Sequence, residues 1–589
     1  MGLEISLLGR PGVRRDGVVV AAPRGHKVWG LLAYLMLCGR PVARARVAAV
    51  LFPDAGNPLA VLRWNLHELR RLLGVDVSVQ GDPIAVRLAP TATVDVTVLC
   101  CGSWRQALVV ADPGAELLAG LRFAGCPEFE AWLAAERRHL RSVAEAVLHE
   151  SVLARLAAGQ AEQVLSTAAA LVGSNPYDEG RQELYVRCLL AAGDLAGARR
   201  QRQAAIDLIR QDLGVAAGAG LLTVGRQPFD DGTGADPASI AALCKLGLAS
   251  LHAGSYESGL GTMRRAVAAA RRGSDRAGLL RVLVSFGHGL AISSLGGGAE
   301  AATVQHEAMA LAGELGDDRL LGVAQLQYAL TELLAGQYSR ALHWADLSLA
   351  GCGGDALQAA RIRTIRGTAM VDTGRYDEGI EELDSAIHGA PISGDPRNGA
   401  YAFSMLGKAH LLRGELAAAA ESLDQAIHLS RMHWIALRPW PESLRAEVAL
   451  CGGQLDRAEH MFEQAYALAR NLFDHSPCWA SAAARGLGLV AAAHGAVDQA
   501  VAWLDDAYHC RNLAAATYQW ARCNALDALC DIAVTHAMPA APAWLTALEE
   551  QASQFGMQGF LTRSVQHRHR LSQLGAETTA APHRANLNR

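Results

Sequence analysis

The stretch Pro58-Leu59-Ala60-Val61-Leu62-Arg63-Trp64-Asn65-Leu66-His67-Glu68-Leu69-Arg70-Arg71-Leu72-Leu73-Gly74 decides the fold. Proline suits a first helical turn, because the amide it lacks has no intrahelical partner there. Gly74 supplies a stop. Between them, Leu62, Leu66, Leu69 and Leu73 are spaced four, three and four apart, the period of one buried helix face. At about 100° per residue, Trp64, His67, Glu68 and Arg71 are expected on the opposite face, with Arg63 and Arg70 flanking it. Arginine offers a planar fork of donors that matches guanine edges and phosphate oxygens. Phosphate contacts fix docking and base contacts give sequence preference. Alone, such a helix also reads as a solvated amphipathic one, so its neighbours matter.

Upstream, Leu3 to Leu8 alternates as a strand, Gly12 and Arg15-Asp16-Gly17 are turn signals, and Val18-Val19-Val20 reads as a second strand. Helical stretches follow at Lys27 to Cys38 and at about Ala43 to Leu51. Downstream, 75–80 and 84–88 flank Gly81-Asp82-Pro83 as a hairpin. Strands, three helices and a hairpin make a winged helix-turn-helix over residues 1–100, with the 58–73 helix as its reading head. Arg44, opening the second helix, and Arg87, on the hairpin, are further phosphate candidates.

Residues 101–220 turn helical, with breaks at Gly159, Asn175-Pro176 and Gly193-Asp194, and 221–237 reads as a Gly/Ala/Asp-rich linker. From 238 to 575 the chain repeats. Turns recur at Gly254, Gly336, Gly374, Gly414, Gly453 and Gly495, each with a small residue five positions on: Gly259, Ala341, Gly379, Ala419, Ala458 and Ala500. From Gly336 the gaps are 38, 40, 39 and 42, and the 82 residues before it hold two units, with Gly296-Gly297-Gly298 as the turn between. This period exceeds the roughly 34 residues of a standard tetratricopeptide repeat. A lone hairpin cannot bury its apolar face, so the units are expected to stack as an α-solenoid. Residues 576–589 are expected to be a disordered tail.

The 589 residues carry 54 Lys+Arg and 58 Asp+Glu, and 51% are hydrophobic, which excludes a globally basic coat and intrinsic disorder. The near-neutral total hides a split. Residues 1–100 hold 12 basic and 7 acidic residues, net +5, and the remainder 42 and 51, net −9. The basic segment is the one expected to meet DNA. Met1 to Arg10 lacks a signal-peptide pattern and no apolar run is long enough for a membrane span, so a cytoplasmic location with reduced thiols is expected.

Other motifs read as structure. Gly486-x-Gly488 follows no strand, and Gly407-Lys408 is not a phosphate loop, since Ala409 stands where Ser or Thr belongs. Cys523 and Cys530 read as buried thiols, Cys100-Cys101 as structural, and His567-Arg568-His569-Arg570 as a solvated helix end. Tyr256, Tyr338, Tyr376, Trp344, Trp434, Trp440, Trp479, Trp503 and Trp520 are expected to pack between array helices. No catalytic constellation, cofactor site or metal site stands out, so an enzyme is not expected.

Leu62 to Gly74, with Leu7-Leu8-Gly9 and Arg40-Pro41-Val42, resembles the winged helix of SARP-type transcriptional activators. Pro127-Glu128-Phe129-Glu130-Ala131-Trp132-Leu133-Ala134-Ala135-Glu136-Arg137 resembles the start of their bacterial transcriptional activation domain. The resemblance covers roughly residues 1–215, and the repeats resemble the tetratricopeptide-like arrays of larger members. It implies a mainly α protein: a winged helix with a small sheet and wing, a helical activation domain at 101–220, and an α-solenoid of helical hairpins. It also implies binding to promoter repeats in double-stranded DNA, recruitment of RNA polymerase to secondary-metabolite or other pathway genes, and a polymerase contact in the loop Phe52 to Asn57. A protein or small-molecule effector at the array and a homodimer complete the expected partners; no membrane is expected. Two departures stand out: Glu68 where the family often has Arg, and Asp82 rather than a basic residue at the hairpin tip. They leave room for an interaction scaffold or ligand sensor whose winged helix does not bind DNA.

Overall fold

A computed structural model of the chain describes residues 2–38, 41–74, 77–89, 91–110, 112, 114–224, 236–293, 299–471, 477–509 and 518–585. It divides into two compact units, 1–151 and 152–589.

In the first unit, β1 (Leu3–Ser6), β2 (Gly12–Arg15), β3 (Val18–Val19) and β6 (Thr93–Val94) form one sheet in the order β3-β2-β1-β6, with β6 parallel to β1. Leu3 and Ile5 point inward from β1, and Glu4 and Ser6 outward, the alternation that a half-buried strand imposes. The strand stops at Ser6, short of the expected Leu8. There the amides of Leu7 and Leu8 turn to the buried carboxylate of Asp95, at 2.8–2.9 Å. Burial raises the Asp95 pKa even though backbone N–H groups pull it back. Helices α1 (Lys27–Leu37), α2 (Arg44–Leu51) and α3 (Pro58–Leu73) follow, then the wing β4 (Val77–Gln80) and β5 (Ala85–Leu88). The wing pairs antiparallel, and a bridge between Val42 and Ile84 ties it to the start of α2.

Helices α4 (Asp95–Cys101), α5 (Trp104–Val110) and α6 (Pro127–Ala157) come next, and the boundary between units falls within α6. The start of α6 packs on the winged helix through aromatic rings. Tyr34 of α1 meets Trp132 edge-on at 4.8 Å, and Phe123 meets Phe129 at 4.6 Å. Gly30 makes room for this cluster, since a Cβ there would stand 2.6 Å from the Phe123 ring. The helical segment after residue 100 therefore shares a core with the winged helix from its first turns.

The second unit begins with α7 (Leu165–Ser174), α8 (Glu179–Ala191), α9 (Leu195–Leu208) and α10 (Ala219–Thr223). The array then pairs α11 (Pro237–His252) with α12 (Tyr256–Arg272), α13 (Arg276–Ile292) with α14 (Ala299–Leu315), α15 (Asp318–Leu334) with α16 (Tyr338–Gly351), and α17 (Ala356–Asp372) with α18 (Tyr376–His388). It continues with α19 (Pro396–Arg413) and α20 (Leu416–His433), α21 (Pro439–Cys451) and α22 (Leu455–Asn471), α23 (Pro477–Ala493) and α24 (Val497–His509), and α25 (Gln519–Thr535) and α26 (Ala541–Gln554), before α27 (Gln558–Ala585). All six turn glycines named from the sequence adopt positive φ, where a Cβ is penalised. The four alanines that follow the turns are fully buried against the partner helix. The expected Gly296-Gly297-Gly298 turn and most of the 221–237 linker lie outside the described residues. One hairpin carried no glycine signal. Its turn uses Ala537 at φ +48°, 42 residues after Gly495. The expected disordered tail is helical as far as Ala585, where α27 ends.

The array also turns back on itself. The Phe555 ring lies over the α15–α16 turn, 2.7 Å from where a Gly336 Cβ would be, and Gly559 lies over the α17–α18 turn at Gly374. Between hairpins, arginines bind carboxylates about one repeat on, as in Arg264 to Glu300 at 2.6 Å.

Candidate nucleic-acid interface

Helix α3 has the bounds expected from the sequence. The Asn57 side chain accepts the Ala60 amide at 3.0 Å and caps its start. At its end, Gly74 takes φ +64° and an Arg15 guanidinium nitrogen donates to the Leu73 carbonyl at 2.8 Å. Leu62, Leu66, Leu69 and Leu73 are buried, as their spacing requires. Burial of each such side chain stabilises by roughly 1.5–3 kcal/mol, so the stripe fixes which face is presented.

That face holds Arg63, Trp64, His67, Arg70 and Arg71, all exposed. Glu68 is the correction: it is buried, with 8% exposed, and does not belong to the outward set. Arg71, three residues on, donates to its carboxylate at 2.9 Å, and a further hydrogen bond comes from the Arg24 backbone. The Arg71 hydrogen bond holds the Glu68 pKa below its ordinary value. The carboxylate that weighed against phosphate contact is thus neutralised within its own helix.

The wing is fastened by two arginines expected to meet DNA. Arg70 Nε donates to the Val79 carbonyl at 2.8 Å, and Arg44 Nε to the Gly81 carbonyl at 2.9 Å. Asp82 accepts the Arg44 amide at 2.9 Å, which satisfies an N-terminal N–H of α2. Its place at the hairpin tip therefore has a structural cause. Arg70 remains exposed and Arg44 half-buried, each with its Nε engaged. Arg87 is exposed on β5. In the loop from Phe52 to Asn57, Phe52 is buried under the Lys27 ammonium, 5.2 Å from its ring centre, while Pro53, Asp54, Gly56 and Asn57 are exposed.

The sequence reading missed several supports. Arg15, Lys27 (bonded to the Leu51 carbonyl at 2.9 Å) and Asp95 hold helix ends and strand ends rather than ligands. Their partners lie 24 to 88 residues away, beyond what local pattern shows.

The array buries its own polar centre. Lys408 and Asp372 are fully buried and ion-paired, and Tyr518 bridges them, accepting from Lys408 Nζ at 2.7 Å and donating to Asp372 at 2.6 Å. The Lys408 ammonium also sits 4.1 Å from the centre of the Trp520 ring. Burial pushes Asp372 up and Lys408 down from their ordinary values, and each partner opposes the other's shift. Of the nine array aromatics named from the sequence, Tyr256, Tyr338, Trp344, Trp440, Trp479 and Trp520 are buried, and the other three are half-buried. Gly486 and Gly488 are packing glycines: a Cβ at the first would overlap the Phe462 ring, and at the second would stand 2.7 Å from Leu504. Burial raises both array thiols, Cys523 to about 12 and Cys530 further. In the segment 567–570, expected to be solvated, residues 568–570 are exposed, with Arg568 paired to Glu549 and Arg570 to Asp531, whereas His567 is buried against Asp527. Among the described residues there is no group of three or more side chains suited to a metal, and no helix is long and apolar enough to cross a membrane.

Comparison with known proteins gives residues 97–227 as a match to the bacterial transcriptional activator domain. No curated protein matches. Among solved structures, Mycobacterium tuberculosis EmbR in complex with a low-affinity phosphopeptide is similar at 21% identity, covering 39% of this chain and 66% of that one, with a TM-score of 0.31. The chain thus spans just under two thirds of that relative. A Rap protein complexed with competence and sporulation factor is similar at 12% identity over 60% of this chain and 98% of that one, TM-score 0.41. The Cut9–Hcn1 heterotetramer of the APC/C is similar at 14% identity over 91% and 89%, TM-score 0.37. Residues 97–227 thus match the bacterial transcriptional activator domain, and in this chain that stretch follows a winged helix and precedes an array of helical hairpins.

Proposed function

We propose that the chain activates transcription by binding promoter DNA through α3, docked in the major groove, with the wing beside it. The observation that carries this reading is the exposed face Arg63-Trp64-His67-Arg71, held outward by four buried leucines in the domain that precedes the activator domain. Arg63 and Arg71 serve base edges or phosphates; Arg44, Arg70 and Arg87 serve phosphates along the wing. The neutralisation of Glu68 by Arg71 favours this over a winged helix that has lost DNA binding. The exposed Pro53–Asn57 loop is offered to RNA polymerase. The array receives a protein or small-molecule effector, and the chain works in the cytoplasm, as a homodimer on repeated sites, without catalysing a reaction.

The test is a mobility-shift titration of the full chain on promoter fragments at several salt concentrations. A logarithmic affinity falling with a slope of about −0.9 per phosphate contact is expected. Affinity that ignores salt, or no shift at low salt, refutes the reading.

A further inference from the structure

The crest of α3 is apolar where a reading helix meets bases. At about 100° per residue, the residues farthest from the leucine stripe are Ala60, Trp64, His67 and Arg71, spaced four, three and four. The first two carry no polar group that reads a base by a paired hydrogen bond. Trp64 is 48% exposed, and beside it Leu59 and Val61 are 46% and 36% exposed. A helix that only covers its own core would carry polar residues there. N-terminal residues of a recognition helix are the ones that reach base edges. In the major groove the thymine C5 methyl is the apolar feature that distinguishes one base from the others, and apolar side chains contact it.

We propose that Ala60 and Trp64 read thymine methyl groups, and that they, with Leu59 at the edge, set the sequence preference of this protein. The inference rests on the DNA reading above. Charge argues for DNA as the occupant rather than a protein: Arg63, Arg70 and Arg71 frame the crest in a segment of net +5, and Glu68, the one carboxylate on the helix, is buried against Arg71. The arginines then hold phosphates and flanking guanines, and the apolar crest selects thymine between them.

The full chain is used to select duplexes from a random library. Each thymine of the best duplex is then replaced by deoxyuridine, which removes the methyl and keeps base pairing. At one or two positions the replacement weakens binding about three- to tenfold, the size expected when one methyl is no longer taken out of water. Trp64→Gln lowers affinity for the thymine duplex, and one of those positions becomes indifferent to deoxyuridine. Unchanged wild-type binding at every deoxyuridine position, or a selected consensus without thymine, overturns the proposal while leaving DNA binding intact. A Trp64→Gln variant that binds and discriminates like the parent assigns the crest to a protein partner. A library from which no duplex is enriched overturns the DNA reading as well.

Discussion

Replacing Lys408 by Met strikes the buried centre of the array at one atom group. Methionine keeps the length and most of the volume, so packing changes little. What it removes is the ammonium that faces Asp372, Tyr518 and the Trp520 ring. Asp372 is left fully buried, with the Tyr518 hydroxyl still donating but no cation. Removing one partner of a buried ion pair costs about 3–5 kcal/mol, because the other charge stays desolvated. Tyr518 lies at the start of α25 and Asp372 at the end of α17, so the loss falls on the contact that returns the array onto itself. Hydrogen exchange by mass spectrometry on the full chain reads this locally. Amides of α17, α19 and α25 are expected to exchange on the order of a hundred- to several-thousand-fold faster, while α3 is unaffected. The double variant Lys408→Met with Asp372→Asn removes both charges and is expected to recover most of the protection. Unchanged exchange in the single variant, or a double variant worse than the single, refutes the reasoning.

Other outcomes follow from the same structure. Arg63→Ala is expected to weaken DNA binding by about 1–3 kcal/mol if it meets a base, with no change in thermal unfolding; Arg70→Ala is expected to weaken both, because its Nε also holds the wing at Val79, and melting curves beside titrations separate the two. Phe129→Ala, on α6 and fully buried against the winged helix, is expected to cost about 3–5 kcal/mol and to lower DNA affinity without touching α3, as denaturation and mobility shifts would show. Gly486→Ala forces a methyl into the Phe462 ring and is expected to cost about 1–3 kcal/mol, read as faster exchange in α22 and α23. His252 and His288 are pushed down to about 3 and about 4, chiefly by burial, so they fold uncharged. Their stabilising contribution is present above the ordinary value of 6.5 and is lost as pH falls through the folded values. Protection of α11 and α13 amides, measured relative to their intrinsic exchange rates, should therefore fall between about pH 6.5 and 3.

Local pattern made much of this architecture legible. Pro58 and Gly74 gave α3 its bounds, and the leucine spacing its inward face, because burial on a helix repeats at 3.6 residues. The array was legible from glycines at positive φ and small residues that let helices approach. The hairpin turning at Ala537 was not, since an alanine forced into that conformation leaves no compositional mark. Glu68 was misplaced because angular position alone cannot show that Arg71 and the Arg24 backbone satisfy its carboxylate against the domain. Arg44 and Arg70 read as phosphate donors, and only the wing's carbonyls 9 and 37 residues away show their second task. Lys408 read as a failed phosphate-loop lysine; its partners Asp372 and Tyr518 lie 36 and 110 residues off.

The central claim is that the exposed arginine-bearing face of α3 binds promoter DNA. Genome-wide mapping of sites bound by the full chain, with Arg63→Ala mapped in parallel, tests it most directly. The account predicts discrete promoter-proximal sites sharing repeated elements, occupied by the parent and depleted in the variant. Sites equally occupied by both, or no enrichment at promoters, would contradict it.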